Sequence, residues 1–152
     1  MAKRINVSSK EELNSILSTL KEDALPAWGR LRAQNMVEHL VEAVEYTNGK
    51  KFTELDVTPE VATEAKAKCV NEDFEIPKNV PGFLSDKMKS KRFNNLEAAI
   101  KQLNEELDAF HLYFATPNRI ATHAAFGPMN YREWLLWHGK HFAHHFNQFG
   151  LI

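Results

Sequence analysis

The sequence predicts an all-α protein, an antiparallel four-helix bundle with one long crossover and one or two short accessory helices. Three observations predict it. Leu96, Ile100, Leu103, Leu107, Phe110 and Phe114 recur at spacings of 4, 3, 4, 3 and 4, the seam of a helix packed along its whole length. Helix-start signals stand ahead of several apolar runs. Strand-period alternation is nearly absent.

For the first helix, Ser8 or Ser9 can act as cap, with Glu11 or Glu12 three residues on as in a capping box. Leu13, Ile16, Leu17 and Leu20 then form one apolar stripe. A second helix is expected from around Pro26 to "NGK", Asn48 to Lys50, because proline suits a first turn and glycine a helix end. Met36, Leu40, Ala43, Val44 and Thr47 mark its inner side, which also carries His39, Arg32 and Tyr46. Thr58 and Pro59 open a third, shorter helix, "EVATEAKAKCV". Residues 71–93 hold Pro77, Pro81 and Gly82 among Phe74, Ile76, Phe83 and Leu84. So many large apolar groups predict a loop packed across the bundle and not a disordered linker. The fourth helix is expected to take Asn94 as cap, with Glu97 at its third position, and to end at Thr116-Pro117-Asn118. The last has Asn130 and Glu133 as a capping box, Met129 and Trp134 as a hydrophobic staple, and Gly150 at its end.

A length of 152 residues predicts one domain over 1–152. The formal net charge of −1 encodes no general attraction to nucleic acid or to an acidic membrane surface. A local basic stretch, "KMKSKR" from Lys87 to Arg92, reads as a solvated loop. The single cysteine, Cys69, excludes an intrachain disulfide and a cysteine-rich zinc site, and reads as a small buried residue. The N-terminus lacks the apolar run of a signal peptide, and no stretch reaches the ~18 apolar residues of a spanning helix. A cytoplasmic protein, monomer or homodimer, with no nucleic-acid or membrane partner, is the expectation.

The chemistry concentrates in "WHGKHFAHHFNQFG", Trp137 to Gly150, which holds His138, His141, His144 and His145 of the chain's seven histidines. At about 100° per residue, Trp134, His138, His141, His145 and Gln148 fall within about 80° of one another. Arg132, Gly139, Lys140, Ala143 and Asn147 fall opposite and are expected to face solvent, with His144 at the edge of the stripe. His141 and His145 form an H-x-x-x-H pair, which brings two imidazoles close enough on one helical face to bind one transition metal. Such a pair also occurs in surfaces and cores. The metal reading gains from the inward stripe, from a further inward histidine at His39, and from the lack of a tag-like context. His39 can equally be a histidine hydrogen-bonded to a backbone group or carboxylate. His111 and His123 read as packed or loop groups.

Two segments resemble motifs of the DinB/YfiT-like superfamily: "WGRLRAQNMVEHL", Trp28 to Leu40, its second-helix motif, and "HGKHFAHHFNQFG", its last-helix motif, in which H-x-x-x-H is followed by glutamine. Within it, the chain resembles a bacterial branch of unknown function. The matching residues are His123, Phe126-Gly127, Glu133-Trp134, Lys140-His141, His144-His145 and Gln148-Phe149-Gly150. That branch often carries proline after the loop histidine, where this chain has Ala124. The resemblance implies a four-helix bundle binding one divalent metal, zinc or nickel, through His39, His141 and His145. His138, Gln148 and His123 are then candidates to orient the ligands from behind or to line the cleft. Three neutral histidines leave a coordination position open, as in catalytic sites. The resemblance implies a metal-dependent hydrolase or a thiol S-transferase acting on a small-molecule substrate. The alternative is a non-catalytic metal- or partner-binding helical module. No carboxylate stands out as a general base: Glu38 neighbours His39 but turns about 100° away. Spacing alone does not show that His39 meets His141, about 100 residues away.

Overall fold

The structure, a computed structural model, describes residues 2–78 and 90–152. Among them the chain forms helices α1 (Lys10–Leu17), α2 (Ala33–Glu45), α3 (Pro59–Cys69), α4 (Leu96–Phe114) and α5 (Tyr131–Gln148). One antiparallel hairpin, β1 (Ala121–His123) with β2 (Gly127–Met129), pairs His123 with Gly127. No helix among the described residues is long and apolar enough to cross a membrane.

Contacts between helices give their directions. Lys10 pairs with Asp108 at 2.7 Å and Asn14 bonds Asn104, so α1 runs against α4. Gln34 at the start of α2 donates to the Phe93 carbonyl, and Asn48 beyond its end donates to Glu106. The α2 and α4 helices are therefore parallel, and the connection between them is the crossover. In α5, His138 meets Thr47 and His141 meets His39, so α5 runs against α2. The core between them holds Leu13, Leu17, Met36, Leu40, Leu103, Phe110, Phe142 and Phe146, all essentially inaccessible. Each such side chain contributes about 1.5–3 kcal/mol by leaving water.

The caps follow sequence chemistry closely. Ser9 accepts from the Glu12 amide, Thr58 from Val61, and the Asn130–Glu133 capping box is complete. Met129 and Trp134 are both buried, as a staple requires. The reciprocal bond at α1 goes from the Asn6 amide to Glu12, so Ser9 and Glu12 do not close a box on each other.

Several boundaries differ from the sequence reading. The α2 helix starts at Ala33, not around Pro26, and Arg32, its exposed N-cap, is not on the inner side. The segment before it is held by the end of α5. Ala27 donates to the Gln148 carbonyl, and the Gln148 amide donates to the Trp28 carbonyl, each at 2.8 Å. Gly29 sits at φ +80°, and a Cβ there would stand 2.7 Å from Gln148 Nε2. This turn precludes a continuous helix from Pro26. Asn95, not Asn94, caps α4 by accepting from Ala98. The hairpin was not anticipated, because its three-residue strands are too short to show a period of two.

The face of α5 expected to meet solvent does so only at Arg132 and Asn147. Gly139, Lys140 and Ala143 are buried. The N-terminal segment lies across them: Ile5 donates to the Gly139 carbonyl, and a Cβ at Gly139 would meet the Ile5 carbonyl oxygen at 2.7 Å. Lys140 donates to the carbonyls of Cys69 (3.0 Å) and Asn71. The last helix is thus enclosed on nearly all sides. In the expected packed loop, Phe74 and Ile76 are half-buried. Pro81, Gly82, Phe83 and Leu84, with Lys87 to Lys89 of the basic stretch, lie outside the described residues.

Candidate metal centre

The crossing of α2 and α5 brings His39, His141 and His145 together. His39 Nε2 lies 3.0 Å from His141 Nε2, which lies 3.2 Å from His145 Nε2. One nitrogen from each ring falls within 4.8 Å of the others. Nitrogens about 2.0–2.1 Å from a common ion are separated by about 2.8–3.4 Å at octahedral or tetrahedral angles. The two short separations fit that range, so the cluster can hold a metal ion. His141 and His145 are buried and His39 is half-buried.

Protonation is set by the surroundings. Burial, then the neighbouring His145 and His39, holds His141 well below the usual histidine range. Burial, then His39, lowers His145 to about 3, against a smaller opposing effect of its bond to Gln148. Both rings are therefore neutral at pH 7 and have lone pairs to offer. The tautomer of His145 follows from hydrogen-bond accounting. Gln148 uses its amide N–H on the Trp28 carbonyl and so presents its oxygen to His145 Nδ1, 2.7 Å away. His145 Nδ1 carries the proton, and Nε2 turns its lone pair toward the cluster. His141 has no such support among the described residues: its buried Nδ1 has no hydrogen-bond partner there, and Trp137 stacks on the ring at 5.8 Å.

The other candidates lie apart from this point. His138 is fully buried among Phe110, Trp134 and Phe142. Its Nε2 is 3.0 Å from the Thr47 hydroxyl, which itself donates to the Val44 carbonyl, so His138 donates to Thr47. Burial lowers His138 to about 3. His123 accepts from the Ala125 amide at 3.0 Å and stacks on Phe126, and burial lowers it to about 4. Trp137 stands between His123 and His141. His144 meets Trp28 edge-on at 5.7 Å, outside the cluster. His111 bonds the Tyr131 hydroxyl.

Two features of the site escaped sequence reasoning. One is the Trp28–Gly29 turn behind Gln148, signalled only by the glycine in "WGR". The other is Trp137, four residues before His141 and thus on its face. Glu38, the carboxylate beside His39 in sequence, accepts from Gln34 and from the amides of Arg92 and Phe93. It anchors the approach to α4.

Fold and cluster together define a helical-bundle protein with three convergent histidines. A family model described as a protein of unknown function (DUF1569) matches residues 78–150. The matched segment contains His141, His145 and Gln148, whereas His39 comes from outside it. Searches of curated proteins and of solved structures returned no significant match.

Proposed function

We propose that His39, His141 and His145 hold one divalent ion, zinc or nickel, and that the chain is a metal-dependent enzyme of hydrolase or thiol S-transferase type. The observation that carries this reading is the meeting of three imidazole nitrogens from two helices distant in sequence, two of the three separations being 3.0 and 3.2 Å. Its ligand set, one histidine from α2 and two from α5, is the one implied by resemblance to the DinB/YfiT-like superfamily, whose membership forms part of the proposal. An ion held by three neutral histidines keeps a position for a small-molecule substrate and supplies Lewis acidity toward a water, thiol or carbonyl. The protein's own part is orientation and exclusion of water. Gln148 fixes His145, Trp137 covers His141, and the half-buried His39 leaves the approach open. One domain over 1–152 completes this reading.

A non-catalytic metal-binding module is the second reading, favoured by the engagement of Glu38 elsewhere. Elemental analysis of protein purified without an affinity tag, followed by addition of zinc or nickel, tests metal binding. One ion per chain is expected, and His39→Ala should weaken binding and change the coordination spectrum. Full occupancy in a His141→Ala/His145→Ala protein would refute the site. Metal bound without turnover of ester, amide or thiol-transfer substrates would leave the module.

A further inference from the structure

A second feature of α5 is not used by the histidine cluster. On the flank of the helix next to His141 and His145, a cavity of about 440 Å³ is bounded by α5, the Trp28 turn, the N-terminal segment and residues 75–78. Three lysines reach it: Lys3, Lys78 and Lys140. Lys3 and Lys78 are exposed, but Lys140 is only 3% accessible. Among the described residues none of the three forms an ion pair. Against them stands Glu75, the only acid on the cavity wall among the described residues.

Lys140 is the unusual member. An ammonium has three protons to donate. Two go to the neutral carbonyls of Cys69 and Asn71. Burying an ammonium is costly, by several kcal/mol in general, and the nearby acids Glu72 and Asp73 offset part of that cost for Lys140. Lys78 sits 4.4 Å from the centre of the Trp28 ring, which holds its charge at the rim. Asn147 adds an amide donor, and His144 a ring, to the same wall. A volume of this size suits a metabolite and not a single ion.

We propose that this cavity binds a small molecule through a compact oxyanion, phosphate or carboxylate, paired with Lys140 and flanked by Lys3 and Lys78. The site is separate from the histidine cluster and stands whether or not that cluster holds a metal. Trp28 and His144 form the partition: the Trp28 carbonyl bonds Gln148, and His144 meets His145 at 5.2 Å.

The test is an NMR titration of the isotope-labelled full chain with inorganic pyrophosphate in one arm and succinate in the other. Saturable shifts are expected at the Trp28 indole, Lys140 and Asn147 in at least one arm, and the responding arm tells phosphate from carboxylate. In Lys3→Ala/Lys78→Ala, whose altered side chains are exposed and leave the core intact, affinity should fall at least tenfold. The same shifts should persist in His141→Ala/His145→Ala, where an anion cannot bind through a histidine-held ion. Absence of saturable shifts in both arms, unchanged affinity in the lysine variant, or shifts lost with the histidines would each overturn the proposal.

Discussion

His138 and His145 lie about two turns apart on the same helix, and burial pushes both to about 3. Their surroundings differ. His138 is closed in by aromatic rings and gives its proton to Thr47, the end of a chain leading to the Val44 carbonyl. His145 gives its proton to Gln148 on one side and on the other turns a lone pair to His141 and, across the helix gap, to His39. A depressed pKa therefore marks burial in both places and cannot by itself identify a site. What distinguishes the cluster is that nitrogens from separate elements converge, with one tautomer fixed from behind.

The largest expected effect separates the two regions directly. His141→Ala or His145→Ala should lower zinc or nickel affinity at least about tenfold, read by calorimetry, with helix content by circular dichroism nearly unchanged. His138→Ala should do the reverse. Affinity should hold, while the cavity and the stranded Thr47 hydroxyl cost about 2–4 kcal/mol in denaturant unfolding. Equal metal loss in both would erase the distinction.

Acid should act on the aromatic region through His138 and His123. Both are neutral in the fold, with pKa values of about 3 and about 4, against 6.5 when unperturbed. The unfolded state thus binds more protons below pH 6.5. Stability is complete above that value and is lost progressively as pH falls toward 3–4, by up to about 1.4 kcal/mol per pH unit for each such group. Unfolding measured from pH 7 to pH 4 checks this, and His138→Phe should flatten the slope. A pH-independent midpoint would contradict the burial argument.

Smaller effects sharpen the view of what holds the cluster. Gln148→Leu should weaken metal binding about tenfold by freeing the His145 tautomer. Gly29→Ala should act in the same direction, since its Cβ would meet Gln148 Nε2 at 2.7 Å. Both are read by competition with a chromogenic chelator, and an unchanged affinity in Gln148→Leu would show that His145 needs no support. The smallest effect is at His144. His144→Ala should retain the metal, because that ring faces Trp28.

The sequence by itself determined much that is local. Capping side chains and the 4-3-4-3-4 seam depend on neighbours within one or two turns, so Thr58, Asn130 and the α4 stripe could be read directly and the α1 cap narrowed to Ser8 or Ser9. The H-x-x-x-H pair is equally local, since helical geometry alone places His141 beside His145. Tertiary structure decided the rest. Whether His39 meets that pair depends on how α2 and α5 cross, a contact 102 residues apart in the chain. The start of α2 was lost to Gly29 and the end of α5, an interaction between chain segments remote in sequence. The supposed wet face of α5 was covered by Ile5 and by the carbonyls of Cys69 and Asn71 around the end of α3. Hydrophobic periodicity reports which side of a helix prefers to be dry. It does not report that a polar side, once its amine and backbone carbonyl find partners, can be buried as well.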